Sequence, residues 1–282
     1  MSLAYSQFSD YIYQRTGIVI NQDKNSLVDS RLNPVLDHYD FGSLDELMLC
    51  LRTIAPMDLE HAVIHAMTTN ETSFVRDLTF FEGLRNVLLP KLINQRSTKQ
   101  KLTIWSAACS SGQEPYSVLM TIKEYFPELK DWKLNFLCTD LDQNMLKRTR
   151  QGTYSSLEVN RGLPVSWMNQ YFSQNGSSWE ISQELRAQLT IRKQNLLEAW
   201  SNIPTCDLIL MRNVMIYFDT KTRSIIYDRI KQHLSADGAL VLGASETTLG
   251  VTTSFGMELA GEFRYYTLKS DTPWTNLAAK PL

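Results

Sequence analysis

The stretch LTIWSAACSSGQEPYSVLMTIKEYF, residues 102–126, decides the fold. Residues 102–107 are a short apolar run rich in β-formers, of the kind found in a buried strand. Small residues follow, Ala108-Cys109-Ser110-Ser111-Gly112, and then an amphipathic segment over 114–126 with Pro115 near its first position, where helix starts favour proline. The same alternation recurs downstream. Residues 134–139, 207–211 and 239–243 read as buried strands, and 143–150 and 220–234 as helices between them. This predicts an α/β fold: a doubly wound, mostly parallel sheet with helices on both faces. Residues 255–268 hold two β-like runs around Gly261 and are expected to close the sheet as an antiparallel hairpin. Between Tyr154 and Arg192 the alternation breaks down. Asn175-Gly176, between Tyr171-Phe172 and Trp179-Glu180-Ile181, signals a hairpin, so a small antiparallel β insertion is expected at about 154–192.

Upstream, the period changes to that of helices. Apolar residues recur at Phe8, Tyr11 and Ile12, at Leu27, Leu32, Val35 and Leu36, and at Leu44, Leu47, Met48 and Leu51. Ser43-Leu44-Asp45-Glu46 reads as a capping box, Pro56 ends that helix, and a last helix is expected at about 58–67. The reading is an all-helical N-terminal domain at 1–69, a linker and helix at 70–100, and a larger α/β domain at 101–282.

The chain has 282 residues, enough for one large or two unequal domains, and its 43% hydrophobic content supports a packed core. With 28 basic and 30 acidic residues its net charge is −2, which speaks against general polyanion binding. The balance is uneven: residues 1–69 carry four basic and nine acidic side chains, a net of −5, leaving +3 for the rest. No apolar run suits a bilayer span and the first residues lack signal-peptide order, so a cytoplasmic location is expected. Cys50, Cys109, Cys138 and Cys206 are widely separated and read as free buried thiols. His61 and His65 share a helix face without the glutamate of a zinc-protease motif, so no metal site is indicated.

In a doubly wound sheet, ligands sit beyond the carboxyl ends of the strands. The first such end opens into the small-residue run, which lets a ligand approach the backbone; Glu114 there would repel a phosphate and suit an amino group. The second ends at Thr139-Asp140, where a carboxylate could take two ribose hydroxyls or could cap the next helix. The third runs into Arg212-Asn213-Val214-Met215-Ile216-Tyr217-Phe218-Asp219. Asn213 could equally be a turn residue and Tyr217 a core residue.

Taken together with Asn70-Glu71-Thr72-Ser73-Phe74-Val75-Arg76-Asp77, Asn195-Leu196 and Gly243-Ala244-Ser245-Glu246, these segments closely resemble the bacterial chemotaxis-receptor methyltransferases, the CheR family. The resemblance covers essentially the whole chain in order. It implies S-adenosylmethionine (SAM) as cofactor, S-adenosylhomocysteine as product, no metal, and transfer of a methyl group to glutamates in the cytoplasmic helices of chemoreceptors, giving methyl esters. It further implies that Arg76 pairs with the cofactor carboxylate and Glu114 with its amino group. Asn70 and Thr72 would line the methionine end, Asp140 the ribose, Asn195 and Leu196 the adenine, with Arg212 and Asn213 near the sulfonium. Arg76, Asn213 and Tyr217 form the catalytic set, Tyr217 being the candidate for orienting the acceptor carboxylate. Such a carboxylate is ionised near neutral pH, so no general base is needed.

By the same resemblance the N-terminal domain grips the receptor. Lys24 and Arg31, seven residues apart, are the candidate basic stripe, with ordinary solvated charges as the alternative. The edge of the β insertion could add a receptor C-terminal peptide as a strand. Competing functions are a non-catalytic SAM-binding sensor or adaptor, a nucleic-acid or small-molecule acceptor, and a receptor of another motility system. Against a base acceptor stand the pI near 6.1 and the lack of a D/N-P-P-Y/F motif after the fourth strand.

Overall fold

Four helices open the chain and bury their apolar faces against one another: α1 (Leu3–Thr16), α2 (Asn25–His38), α3 (Leu44–Thr53) and α4 (Met57–Met67). Spacings of three and four place Phe8 and Ile12, then Val28, Leu32 and Val35, then Leu47 and Leu51, then Val63 and Met67, in a single core. Leu27, expected on that face, is 41% exposed, because the stripe through Val28, Leu32 and Val35 leaves it a sixth of a turn or more outside. Ser43 caps α3 by accepting from the Glu46 amide at 3.3 Å, whereas the Glu46 carboxylate reaches past Ser43 to the Gly42 amide at 2.8 Å. The box thus closes one residue early.

The computed structural model describes residues 3–269. After the linker, α5 (Leu78–Gly83) widens into a π turn over Leu84–Leu88 and resumes as α6 (Leu89–Arg96); Pro90, which has no amide proton to donate, follows the widened turn. The α/β region then runs β1 (Lys101–Ala107), α7 (Gln113–Tyr125), β2 (Lys133–Asp140) and α8 (Gln143–Gln151). An insertion contains β3 (Thr153–Ser155), α9 (Ser156–Asn160), α10 (Val165–Tyr171), β4 (Phe172–Asn175), β5 (Ser178–Ile181) and α11 (Gln183–Ala187). The main sheet continues through β6 (Leu189–Lys193), β7 (Cys206–Met211), α12 (Thr220–His233), β8 (Leu234–Leu242), β9 (Phe255–Ala260) and β10 (Phe263–Leu268).

The seven strands lie in the order β6-β2-β1-β7-β8-β10-β9, parallel from β6 to β8, with β10 antiparallel to both its neighbours. The expected C-terminal hairpin is present. Alternation along the central strands divides the core in two: Leu102, Ile104, Leu208 and Leu210 face α5 to α7, while Trp105, Ala107, Ile209 and Met211 face α12. Because the chain leaves β1 toward β2 on one side and returns to β7 on the other, a crevice opens at their carboxyl ends.

Three expectations need correction. The insertion is half helical, and it stops before β6, whose five residues pair in parallel with β2 at the edge of the main sheet. As a partly exposed edge strand with Arg192 and Lys193, β6 lacks the apolar signature of its buried neighbours. In the β4–β5 hairpin Asn175 is still paired, with Ser178, so the two-residue loop is Gly176-Ser177 and Gly176, at φ 59°, takes the turn position. Finally, β8 begins at Leu234, five residues before the apolar run, since its amino end is polar and half exposed. Among the described residues no helix is long and apolar enough to cross a membrane.

Candidate active site

The crevice is a cleft walled by the α1 end, the 68–76 linker, the turn after β1, and the segments following β2, β6 and β7. Asn70, Thr72, Arg76, Glu114, Asp140, Asn195, Leu196, Arg212, Asn213 and Tyr217 all line it. Lys24 and Arg31 do not.

The turn after β1 is shaped by backbone that few residues adopt. Ala108, Ser110 and Gly112 have φ of 55°, 51° and 92°, and a Cβ on Gly112 would stand 2.7 Å from the Thr149 side chain. Asp140 holds this turn: its buried carboxylate accepts the Ser110 amide at 2.8 Å and the Asp142 amide at 2.9 Å. The helix-capping alternative for Asp140 is overturned, because Asp142 caps α8 through the Asn144 amide. Burial pushes the Asp140 carboxyl up to about 6, more than its backbone amide donors can offset.

Opposite, Arg212 is nearly sealed from solvent between two carboxylates. It donates to Glu114 Oε2 at 2.8 Å and Asp77 Oδ2 at 2.9 Å, and its guanidinium lies 3.9 Å from the centre of the Phe80 ring. Ser106 Oγ donates to the other Glu114 oxygen at 3.2 Å, so Glu114 is fixed from both ends. Asp77 caps α5 from a φ of 73°. Arg212 is thus a bracket for Glu114 and the linker through its two Nη atoms, while its buried Nε has no hydrogen-bond partner among the described residues. Arg76 is half-buried and donates through Nη1 to the Glu71 carbonyl at 2.8 Å.

Asn70 and Asn195 are also committed. Asn70 Nδ2 donates to Asp142 at 2.8 Å, and Asn195 spans from the Arg15 carbonyl (2.7 Å) to the Leu197 amide (3.0 Å). The Tyr217 hydroxyl has no hydrogen-bond partner among the described residues, while its backbone carbonyl accepts from Val19.

His65, read in the sequence only as part of a helix face, has a specific partner. The His65 ring lies 2.5 Å from Asp142, which also receives Asn70 and Thr68 and is 1% exposed. The hydrogen bond to Asp142 raises the His65 pKa. Burial works to raise that of Asp142, but His65, the Asn144 amide and Asn70 together hold it below the usual carboxylate range. This hydrogen bond fastens α4 to the start of α8. The four thiols are free, with Cys50 half-buried and the others buried; the Cys109 thiol, against Cys138 and out of solvent, is held well above its ordinary value.

Lys24 and Arg31 do not share one helix. Lys24 ends the 3₁₀ turn Gln22–Lys24 and is exposed. Arg31 folds onto the end of α4, donating to the Met67 carbonyl at 3.0 Å and to Thr69 Oγ1 at 2.9 Å, since those acceptors lie within reach of a half-buried guanidinium.

The donor set suits a zwitterionic amino-acid ligand carrying a ribose: the half-buried cation of Arg76, the oriented anion of Glu114, and a buried carboxylate at the end of β2. If Asp140 binds hydroxyls as the anion, affinity for S-adenosylhomocysteine falls as pH drops through about 6, where the carboxylate gains a proton and loses an acceptor. Calorimetry is expected to show affinity about tenfold weaker at pH 5 than at pH 7.5.

The family model for "CheR methyltransferase, SAM binding domain" matches residues 70–262, and that for "CheR methyltransferase, all-alpha domain" matches residues 3–68. The chain is 36% identical to the chemotaxis protein methyltransferase Cher2 of Pseudomonas putida over 91% of its length and 94% of that protein. It is 38% identical to chemotaxis protein methyltransferase 1 of Pseudomonas aeruginosa, covering 86% and 89%, and 35% identical to chemotaxis protein methyltransferase 1 of Vibrio cholerae, covering 94% and 96%. With a cleft suited to SAM at the carboxyl ends of its parallel strands and both family domains in order, the chain belongs to the CheR methyltransferase family and is a SAM-dependent methyltransferase of chemotaxis.

Proposed function

We propose that this protein methylates glutamate side chains in the cytoplasmic helices of chemoreceptors, forming glutamate methyl esters. The observation that carries the reading is the cleft's inventory: its carboxylates are already engaged, Glu114 by Arg212, Asp140 by backbone amides and Glu71 by Arg161. An acceptor that must be deprotonated would need a free base there. A glutamate carboxylate, with an ordinary pKa of about 4.3, does not.

When bound, SAM supplies an electrophilic methyl group on a sulfonium. Arg76 would hold its carboxylate, the bracketed Glu114 its ammonium, and Asp140 its ribose. Thr72 and Asn70 belong to the methionine end, and the Asn195-Leu196 segment to the adenine, through backbone and apolar surface given that the Asn195 amide is used elsewhere. Tyr217 is assigned to the acceptor: its hydroxyl, open at the cleft, donates to the incoming carboxylate and orients one oxygen for attack. Transfer neutralises a carboxylate and a sulfonium together, so a site that aligns them and excludes water supplies much of the acceleration. Tyr217→Phe is expected to lower kcat about tenfold or more with affinity for S-adenosylhomocysteine unchanged. Mass spectrometry of receptor fragments, reading alkali-labile methyl esters on glutamates, tests the reaction; labelled methyl found only on other side chains overturns it.

We assign receptor recognition to residues 1–69 and to the free edge of β4, where a receptor C-terminal peptide could pair as a further strand. Lys24→Glu is expected to raise KM for receptor several-fold without changing cofactor affinity. Arg31→Glu is expected to disturb both, because it releases the Met67 carbonyl three residues before Asn70.

A further inference from the structure

We infer that Glu246, which no role assigned above uses, is a positioning residue for methyl transfer: its buried carboxylate sets the turn that carries Tyr217. This rests on the acceptor role given to Tyr217. Glu246 is 3% exposed, and among the described residues no cation lies within ion-pair distance of its carboxylate. Arg264, the nearby cation, donates instead to the backbone carbonyls of Ala244 and Glu246. A charge so placed must be held by hydrogen-bond donors.

The donors are three backbone amides from two strand ends. Oε2 accepts Asn213 N at 2.8 Å and Gly243 N at 2.6 Å, and Oε1 accepts Ile216 N at 3.3 Å. Two of the three belong to the loop after β7, where Asn213 has a φ of 61° and Met215–Tyr217 form a single 3₁₀ turn. Gly243 leaves the space: a Cβ there would stand 2.7 Å from Asn213 Nδ2 and 2.8 Å from the Glu246 carboxylate. The loop bearing Asn213 and Tyr217 is therefore pinned from the end of β8 by one side chain. The two oxygens do different work, Oε2 fixing Asn213 and Oε1 the middle of the Tyr217 turn.

Glu246→Gln separates these functions. Its carbonyl can keep the Asn213 and Gly243 amides, while its NH2 then faces the Ile216 N–H, donor against donor. The expected result for Glu246→Gln is kcat on receptor fragments at least tenfold lower, with KM for SAM and the affinity for S-adenosylhomocysteine within about threefold of wild type. Adding Tyr217→Phe should cost less than twofold more, because Glu246 acts through Tyr217. Hydrogen exchange of the peptide covering 213–217 should speed up in Glu246→Gln with or without an acceptor, while the sheet stays protected. Glu246→Asp, which keeps the charge and shortens the reach, should recover part of kcat. Unchanged exchange at 213–217, unchanged kcat, or multiplicative effects in the double variant would each overturn the proposal. A wild type that forms no glutamate esters removes the acceptor reading instead, and leaves the exchange experiment to decide whether Glu246 pins the loop.

Discussion

Asp140→Ala is expected to weaken binding of S-adenosylhomocysteine at least 100-fold, to the point where calorimetry at ordinary protein concentrations shows no heat. Two effects combine. In the proposed reading the carboxylate accepts the ribose hydroxyls at the end of β2, and a pair of hydrogen bonds to a charged group amounts to about 3–6 kcal/mol. It also holds the amide of Ser110, whose φ is 51°, in a turn with Ala108 and Gly112 also at positive φ, and without that acceptor the turn has less to keep it there. The folded protein bears a cost for this residue: burial raises its pKa to about 6, so above that pH an ionised group is kept in a site that disfavours charge. Retained binding in Asp140→Ala, within tenfold of wild type, would contradict the ribose assignment.

Arg212→Ala is expected to have the largest effect on stability, about 3–5 kcal/mol, read as a fall in melting temperature of about 5–8 °C. The substitution removes the cation from between Glu114 and Asp77 and from the face of Phe80, leaving two carboxylates together in a site where Glu114 is 17% exposed. Cofactor binding should fail as well, since Glu114 loses the donor that aims it. Arg212→Lys is expected to recover only part of either property, because an ammonium lacks the fork that reaches two carboxylates at once. Loss of cofactor affinity with an unchanged melting temperature would show that Arg212 faces the ligand and is not a bracket.

The structure gathers into one cleft the residues that stand out at the strand ends in the sequence. Strand ends were legible because buried parallel strands are apolar runs that stop abruptly, so the polar residues after Ala107, Asp140 and Met211 stood out, and these residues do wall one cleft. The β6 edge was not legible, since partial exposure removes the apolar run that marks a strand. Nor could spacing show what each polar side chain is bonded to. His65 and Asp142 are separated by 77 residues and Arg212 and Glu114 by 98, and no local pattern encodes such pairs.

By itself, then, the sequence determined the sheet with its flanking helices, the helical front unit, and the identity of the residues at the strand ends, because hydrophobic periodicity and turn chemistry act over a few neighbouring residues. Tertiary structure alone decided which of those residues remain open to ligands. Both Nη atoms of Arg212, the Nδ2 of Asn70 and both side-chain amide atoms of Asn195 are taken by protein partners, Arg31 lies folded on α4, and Glu246 pins the loop of Tyr217. Buried polar groups must find partners wherever the fold brings them, and those partners come from distant parts of the chain.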